Sequence, residues 1–378
     1  MEMLTGLIAV PSVSSVSPQF DQGNRPLIDR LAGWLEAFGF AVEILPLDRP
    51  GKANLIATLG SGPGGLVLAG HTDTVPYDES RWSQDPFTLT ERDGRLYGLG
   101  TCDMKSFLAL AAEAAREFQA GDLKQPLIIL ATADEESSMD GASALVKLGR
   151  PKARHAVIGE PTGLRPVRAH KGIMMEAIHL IGRSGHSSDP SLGVNALEGM
   201  YRVIGELLTW REELQRDHRN PAFHVAVPTL NLGHIHGGDN PNRICGDCEL
   251  HIDLRPLPGM DLGALRGTLH ERLERLLHGS ELGLEMRSLF PGTPAMDTAP
   301  ETPIVRAAER LTGHTAEAVA FGTEGPYLNA LGMQTIILGP GDIAQAHQPD
   351  EYLALDRLQP TVNLLRNLIR RFCVEAAE

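Results

Sequence analysis

Long apolar runs are missing from this sequence. No stretch approaches the roughly 18 consecutive apolar residues that would suggest a membrane-spanning helix, so no membrane association is expected. Cysteine is scarce. Four in 378 residues give no disulfide framework, and a reducing cytoplasmic setting is expected. Positive charge is in deficit: 34 Lys and Arg stand against 48 Asp and Glu, a formal net charge of −14. Such a chain repels phosphate backbones, which argues against nucleic-acid binding. The start, Met1-Glu2-Met3, has neither the basic residues nor the apolar stretch of a secretory leader. Internal repeats and low-complexity tracts are also absent. What is present is the balance of a soluble globular protein, 42% hydrophobic and 22% charged, with length enough for two domains.

The first part of the chain alternates between helical and strand-like patterns. Arg25–Phe40 carries Leu27, Ile28, Leu31, Trp34, Leu35 and Phe38 at helical spacing. Strand-like runs cover Ala41–Leu45, Ala53–Leu59, Gly65–Ala69, Pro126–Ala133 and Ala156–Gly159, with an Ala- and Leu-rich helix over Met104–Gln119. This alternation predicts an α/β domain with a mostly parallel sheet and helices on both faces. The middle of the chain reads differently. Met175–Ile181, Phe223–Ile235, Cys245–Arg255 and Leu282–Leu289 read as strands, Asn195–Arg216 and Leu262–Leu277 as helices. That order, βαββαβ, is the ferredoxin-like split unit. Two helices, Pro303–Thr312 and Gln359–Cys373, and a strand, Gln334–Leu338, then resume the first pattern. The expectation is one domain over residues 1–173 and 290–378, with a second, 174–289, inserted into it.

Polar residues that end apolar runs carry the chemistry. His71 and Asp73 follow Leu66–Ala69, and Asp134-Glu135-Glu136 follows Leu127–Leu130. Glu160 ends another such run, and His347 follows the last core strand and a Gly339-Pro340-Gly341 turn. In open α/β sheets, ligands gather at the carboxyl ends of strands. His71 alone could be a turn residue, and Asp103, at a loop-to-helix boundary, could be a helix cap. Clustered carboxylates beside a buried strand, however, need compensating cations or protons. Two His and several carboxylates form a hard-to-borderline N/O site suited to Zn²⁺, Co²⁺ or Mn²⁺. Two ions bridged by one carboxylate could polarise a carbonyl and acidify a water, while one uncoordinated carboxylate takes the proton. Glu135 and Glu136 could divide those two roles.

Together, Gly70–Pro76 (GHTDTVP), Gly100–Lys105 (GTCDMK), Asp134–Glu136 (DEE), Gly159–Thr162 (GEPT) and Gly339–Tyr352 (GPGDIAQAHQPDEY) resemble the M20 metallopeptidase family, most closely its acetylornithine deacetylase branch. In the inserted domain, Gly182–Pro190 and Leu230–Met260 are similar to the family's lid and dimerisation domain. The resemblance implies two divalent metal ions, Zn or Co, with His71 and Glu160 on one, Glu136 and His347 on the other, and Asp103 bridging them; it also implies a cis Asp103–Met104 peptide. Glu135 would be the general base and Asp73 a support for His71. His186 would hold the oxyanion, reaching into a neighbouring subunit of a homodimer formed through the inserted domain. Asn242 and Arg255 would bind substrate, Arg255 through a bidentate grip on an α-carboxylate. Cys245 stands where family members commonly have Pro. The implied reaction is hydrolysis of a small N-acyl amino acid, acetylornithine to ornithine and acetate in arginine biosynthesis. Acetylcitrulline deacetylase, succinyl-diaminopimelate desuccinylase, a general aminoacylase and a non-catalytic metal-binding protein are the alternatives.

Other candidates weigh less. Cys245-Gly246-Asp247-Cys248 has no second Cys pair for zinc and no thioredoxin-like helix behind it. Cys102 neighbours Asp103 without an expected ligand role, and Cys373 reads as packing. His218, His224, His234 and His236 read as surface or structural. His170-Lys171-Gly172 suits a hinge. Gly322 and Thr323 match a substrate-binding loop of the family. Glu324 is either a partner for a substrate ammonium or a first-turn helix acid favoured by the helix dipole.

Overall fold

The computed structural model describes residues 1–375. The chain forms two compact units. The larger comprises Met1–Arg168, Thr298–Glu317 and the chain from Thr323 onward, and the smaller comprises Ala169–Asp297 and Ala318–Gly322. Among the described residues, no helix is long and apolar enough to cross a membrane.

A mixed sheet forms the centre of the larger unit. Its strands run in the order Ala41–Pro46, Ala53–Leu59, Leu127–Thr132, Leu66–His71, His155–Pro161 and Gln334–Gly339. The last four are mutually parallel and the first two pair antiparallel at the edge. The parallel strands are buried along nearly their whole length, which is why they read as continuous apolar runs rather than alternating ones. Helix Arg25–Ala37 turns Leu27, Ile28, Leu31, Ala32 and Leu35 into the core, and its chain leaves the helix through Gly39 at φ +89°. Helix Lys105–Ala115 is buried almost all round. It stops four residues short of the expected Gln119, where the chain leaves the core.

The pairing register decides what meets at the carboxyl edge of the sheet. His71 lies opposite Thr132, and Ala69 opposite Ile158. Residues 133–136, which follow one strand, and Glu160, near the end of another, therefore emerge beside His71. Close backbone approach makes this possible. A Cβ on Gly159 would lie 1.9 Å from the Phe107 ring, so only glycine lets the helix seat against the strand that presents Glu160.

Three elements of this unit have no clear sequence signal. Helices Glu2–Ile8 and Asp140–Leu148 are short, and the latter starts after Met139 at φ +59°. A small sheet joins Thr90–Arg92, Arg95–Tyr97 and Tyr352–Ala354, pairing segments far apart in sequence.

The smaller unit is a four-stranded antiparallel sheet in the order Thr229–Gly237, Asp247–Arg255, Met174–Ile181 and Gly283–Ser288. Helices Ala196–Asp217 and Leu262–Leu277 follow the first and third of these strands in the chain, giving the βαββαβ order. Cys248, Leu250, Ile252 and Leu254 point inward while Glu249, His251, Asp253 and Arg255 alternate outward. They meet Val203, Leu207, Trp210, Leu269 and Leu273 of the helices. Asn195 and Asp261 cap the two helices through their side chains. The strand expected from Phe223 starts at Thr229, because Asn220 folds the preceding segment into turns through hydrogen bonds with Ala226 and Phe223. Gly172 is tightly packed: its N–H donates to Pro256 O at 2.9 Å, and a Cβ there would lie 2.9 Å from Thr293 O.

Replacing Gly159 with Ala should cost about 1–3 kcal/mol or more through overpacking against Phe107. Urea unfolding monitored by circular dichroism measures it, and an unchanged midpoint would contradict the close approach.

Candidate metal centre

Seven of the sequence-predicted residues, His71, Asp73, Asp103, Glu135, Glu136, Glu160 and His347, converge at the carboxyl edge of the large sheet. Asp103 lies between two histidines. Its Oδ1 is 3.1 Å from His71 Nε2 and its Oδ2 is 3.5 Å from His347 Nε2. Glu160 Oε1 is 3.7 Å from His71 Nε2, and Glu136 is 3.1 Å from His347 Nε2. Potential ligand atoms thus form two groups, His71 with Asp103 and Glu160, and Asp103 with Glu136 and His347. Asp103 belongs to both, one oxygen to each side. The Asp103–Met104 peptide is cis. Helix capping does not explain Asp103: the N-cap is Met104, and no side chain caps the helix.

The tautomer of His71 is fixed from behind. Its Nδ1–H donates to the Asp73 carbonyl at 2.9 Å, so the Nε2 side faces Asp103 and Glu160, as a donor when the ring is protonated and as a lone pair when it is neutral. A backbone carbonyl orienting a ligating imidazole is a common arrangement. The Asp73 carboxylate acts mainly elsewhere. Its Oδ2 accepts the Glu136 N–H at 3.0 Å, while Oδ1 stands 3.7 Å from His71 Nδ1. Asp73 therefore ties the His71 turn to the Glu135–Glu136 turn.

That second turn has its own anchor. Asp134 is fully buried at φ +61°, a region few non-glycine residues adopt. Its Oδ1 accepts from Lys52 Nζ at 2.6 Å and from Ser14 Oγ at 2.7 Å. Lys52, itself buried, also reaches Asp21 at 2.9 Å. Nothing in the sequence marks Lys52; its partner lies 82 residues away. Glu351 lies within the Gly339–Tyr352 segment. It is 1% exposed and accepts the N–H groups of Gly100, Cys102 and Asp103.

The electrostatics favour cations. Burial pushes Glu160 and Glu135 well above the usual carboxylate range, and neighbouring carboxylates push the same way. Glu136 is raised by burial and by the Asp103 charge. Asp103 moves down: burial opposes its ionisation, but hydrogen bonds from His347 and His71 outweigh it. Burial acts against a charged His71, yet Asp103 and the surrounding acids lift its pKa. Asp103 and Glu136 raise His347 to about 10. Glu160 Oε1 and Asp73 Oδ1 are buried without a hydrogen-bond partner. The orphaned Glu160 oxygen, 3.7 Å from His71 Nε2 within one of the ligand groups, fits a divalent ion, since such an oxygen is costly to bury uncompensated. The donors are nitrogen and oxygen only, a set suited to Zn²⁺ or Co²⁺. Glu135 belongs to neither ligand group.

The remaining predicted residues are placed as follows. Glu324 is 1% exposed in the larger unit, with Oε2 accepting from Thr132 Oγ1 at 2.7 Å and Oε1 unpartnered. Burial raises it to about 7. Thr323, fully buried, accepts the Gly325 N–H through its hydroxyl. Gly322, His186, Asn242 and Arg255 belong to the smaller unit. His186 is exposed, its Nδ1 held by Ser188 Oγ at 2.7 Å and its backbone bridged to Arg243. Asn242 is exposed, and its carbonyl accepts from Ser187 N–H. Arg255 is half-buried and paired with Asp253 at 3.0 Å. Cys102 and Cys373 are buried free thiols, as are Cys245 and Cys248.

Metal analysis after dialysis should find two equivalents per chain, one for each ligand group. Asp103→Ala should lose both, whereas His347→Ala should keep the His71 side. An Asp103→Ala protein that still holds two would contradict the shared ligand.

Comparison with known proteins gives the family. An acetylornithine deacetylase from Edwardsiella ictaluri (strain 93-146) is 51% identical over 368 residues, covering 97% of this chain and 96% of that one. A metallo-carboxypeptidase of the M20 family from Sulfolobus solfataricus shares the fold with a TM-score of 0.77 at 17% identity, covering 98% of each chain. A Bacillus subtilis protein described as a dinuclear metal binding peptidase from the M20 family has a TM-score of 0.69 at 16% identity, covering 97% of this chain and 96% of that one. The family model of peptidase family M20/M25/M40 matches residues 67–371. This chain belongs to that family and, with it, to the hydrolases that act on amides.

Proposed function

We propose that this enzyme removes the acyl group from an N-acyl amino acid, with N²-acetyl-L-ornithine as substrate and ornithine and acetate as products. The observation that carries the metal-dependent part is Asp103, whose two oxygens face separate histidine-carboxylate groups. The substrate assignment rests on the 51% identity to an acetylornithine deacetylase across nearly the whole chain. A cytoplasmic place in arginine biosynthesis goes with it.

His71 and Glu160 would hold one divalent ion, Glu136 and His347 the other, with Asp103 between them. When bound, such a pair supplies Lewis acidity to the amide carbonyl and to water. The chain's own groups do the rest. Glu135, adjacent to the ligands but outside both groups, takes the proton from the attacking water as the C–O bond forms. Its raised pKa suits a group that must then give the proton up. It delivers that proton to the leaving nitrogen, and the C–N bond breaks to give a carboxylate and a free amine. Asp73 keeps the His71 ring and the Glu136 backbone in register. His186 donates to the developing oxyanion. We assign Arg255 and Asn242 to the α-carboxylate, Gly322 and Thr323 to the loop lining the substrate, and the unpartnered Glu324 Oε1 to the side-chain ammonium.

We further assign the smaller unit as a lid and dimerisation domain. Strand Thr229–Gly237 ends its sheet, and nearby in that unit Ile235 and Tyr201 are 49% and 79% exposed. An edge strand with exposed apolar side chains is a ready pairing surface.

Glu135→Gln should lower turnover about 10²–10⁴-fold while metal content stays at the wild-type level. It should be assayed on acetylornithine, acetylcitrulline, succinyl-diaminopimelate and acetylmethionine beside the wild type. A wild-type preference for one of the other three would replace the substrate assignment, and an active Glu135→Gln enzyme would remove the general base. Mixed dimers of Glu135→Gln with His186→Ala should regain activity if His186 serves the partner's site; inactive, verified mixed dimers would count against that arrangement.

A further inference from the structure

We infer that Glu351 is a positioning residue for the shared ligand, clamping the loop that carries Asp103 onto the segment that carries His347. This rests on the two-ion reading of the site. Glu351 Oε1 accepts the Cys102 N–H at 2.7 Å and the Asp103 N–H at 2.9 Å, and Oε2 accepts the Gly100 N–H at 3.1 Å. Its backbone carbonyl accepts the Gly98 N–H at 3.0 Å and the Thr101 hydroxyl at 3.3 Å. Five donors from residues 98–103 thus converge on one residue, which lies four positions after His347 in the chain. Glu351 is in neither ligand group.

The chemistry explains why an acid sits there. Another carboxylate beside an acidic cluster is electrostatically unfavourable, so its presence requires a compensating role. Three backbone N–H groups aimed at one point need an acceptor with several lone pairs, and a carboxylate is acceptor-only when ionised. An amide in the same place would turn an NH₂ toward at least one of those N–H groups and leave it unsatisfied. The loop is set for this role by Gly100 at φ +87°, a conformation side chains rarely adopt. Lys105, fully buried with Nζ donating to the Val10 carbonyl at 2.9 Å, lies close enough for Glu351 to favour its charged form against burial. Gripping the Asp103 amide fixes where both of its side-chain oxygens point, so one clamp serves both halves of the centre.

The test compares Glu351→Gln with the wild type, both stripped of metal and titrated with Co²⁺ by calorimetry and visible absorption. Supporting residues around metal ligands typically change affinity about 10–100-fold. A fall of that size at both sites is expected, with an altered Co²⁺ spectrum. Wild-type affinity and spectrum in a folded Glu351→Gln protein would overturn the inference. Hydrogen exchange in the metal-free wild type gives an independent measurement should the variant not fold. The Cys102 and Asp103 amides should be strongly protected, and fast exchange there would also overturn it. A wild type that binds no Co²⁺ would instead refute the two-ion reading and leave the amide measurement to judge the clamp.

Discussion

Carboxylates held away from water are the constraint around which the larger unit is organised. Asp73, Asp103, Glu135, Glu136 and Glu160 gather at one sheet edge, and burial raises most of them. A cluster of this kind is stable only with positive charge or protons among its members. The chain supplies part of that compensation itself. His71 and His347 face the cluster, while the buried Lys52 and Lys105 stand behind it. What they do not neutralise would favour a bound divalent cation. The close-packed sheet beneath has a corresponding purpose: it holds the strand ends so that the acids cannot spread apart to relieve their repulsion.

The site was legible because parallel strands leave a recognisable trace. A run such as Leu66–Ala69 or Leu127–Leu130 is buried on both faces, so the first polar residue after it stands at a fixed edge. His71, Glu135, Glu136 and Glu160 could be read that way. Asp103 and His347 sit on loops, and their motifs carried them. The supports could not be read. Lys52 acts across 82 residues and Glu351 across about 250, and neither sits in a periodic pattern. The role of Asp73 was visible only in part, because its carbonyl, which every residue possesses, does the closest work on His71. In the smaller unit, alternation of apolar and polar residues gave the strands, while turn chemistry around Asn220 and Asn242 set where they begin.

Reach and support are divided between different kinds of residue. The candidate ligands are side chains on strand ends and loops, but the atoms holding them are often main-chain: the Asp73 carbonyl on His71, and the Glu136 and Asp103 amides on Asp73 and Glu351. Backbone positions are fixed by the fold with less freedom than long side chains. A centre oriented through them inherits the rigidity of the sheet.

His347 is 53% exposed as a side chain, whereas His71 is 1% exposed. The two halves of the centre therefore differ in their commerce with the surrounding medium. The inner half is walled in by the strands, while the outer half meets water directly. An ion held at His71 would therefore be shielded from the medium, and one held at His347 would be open to exchange with it.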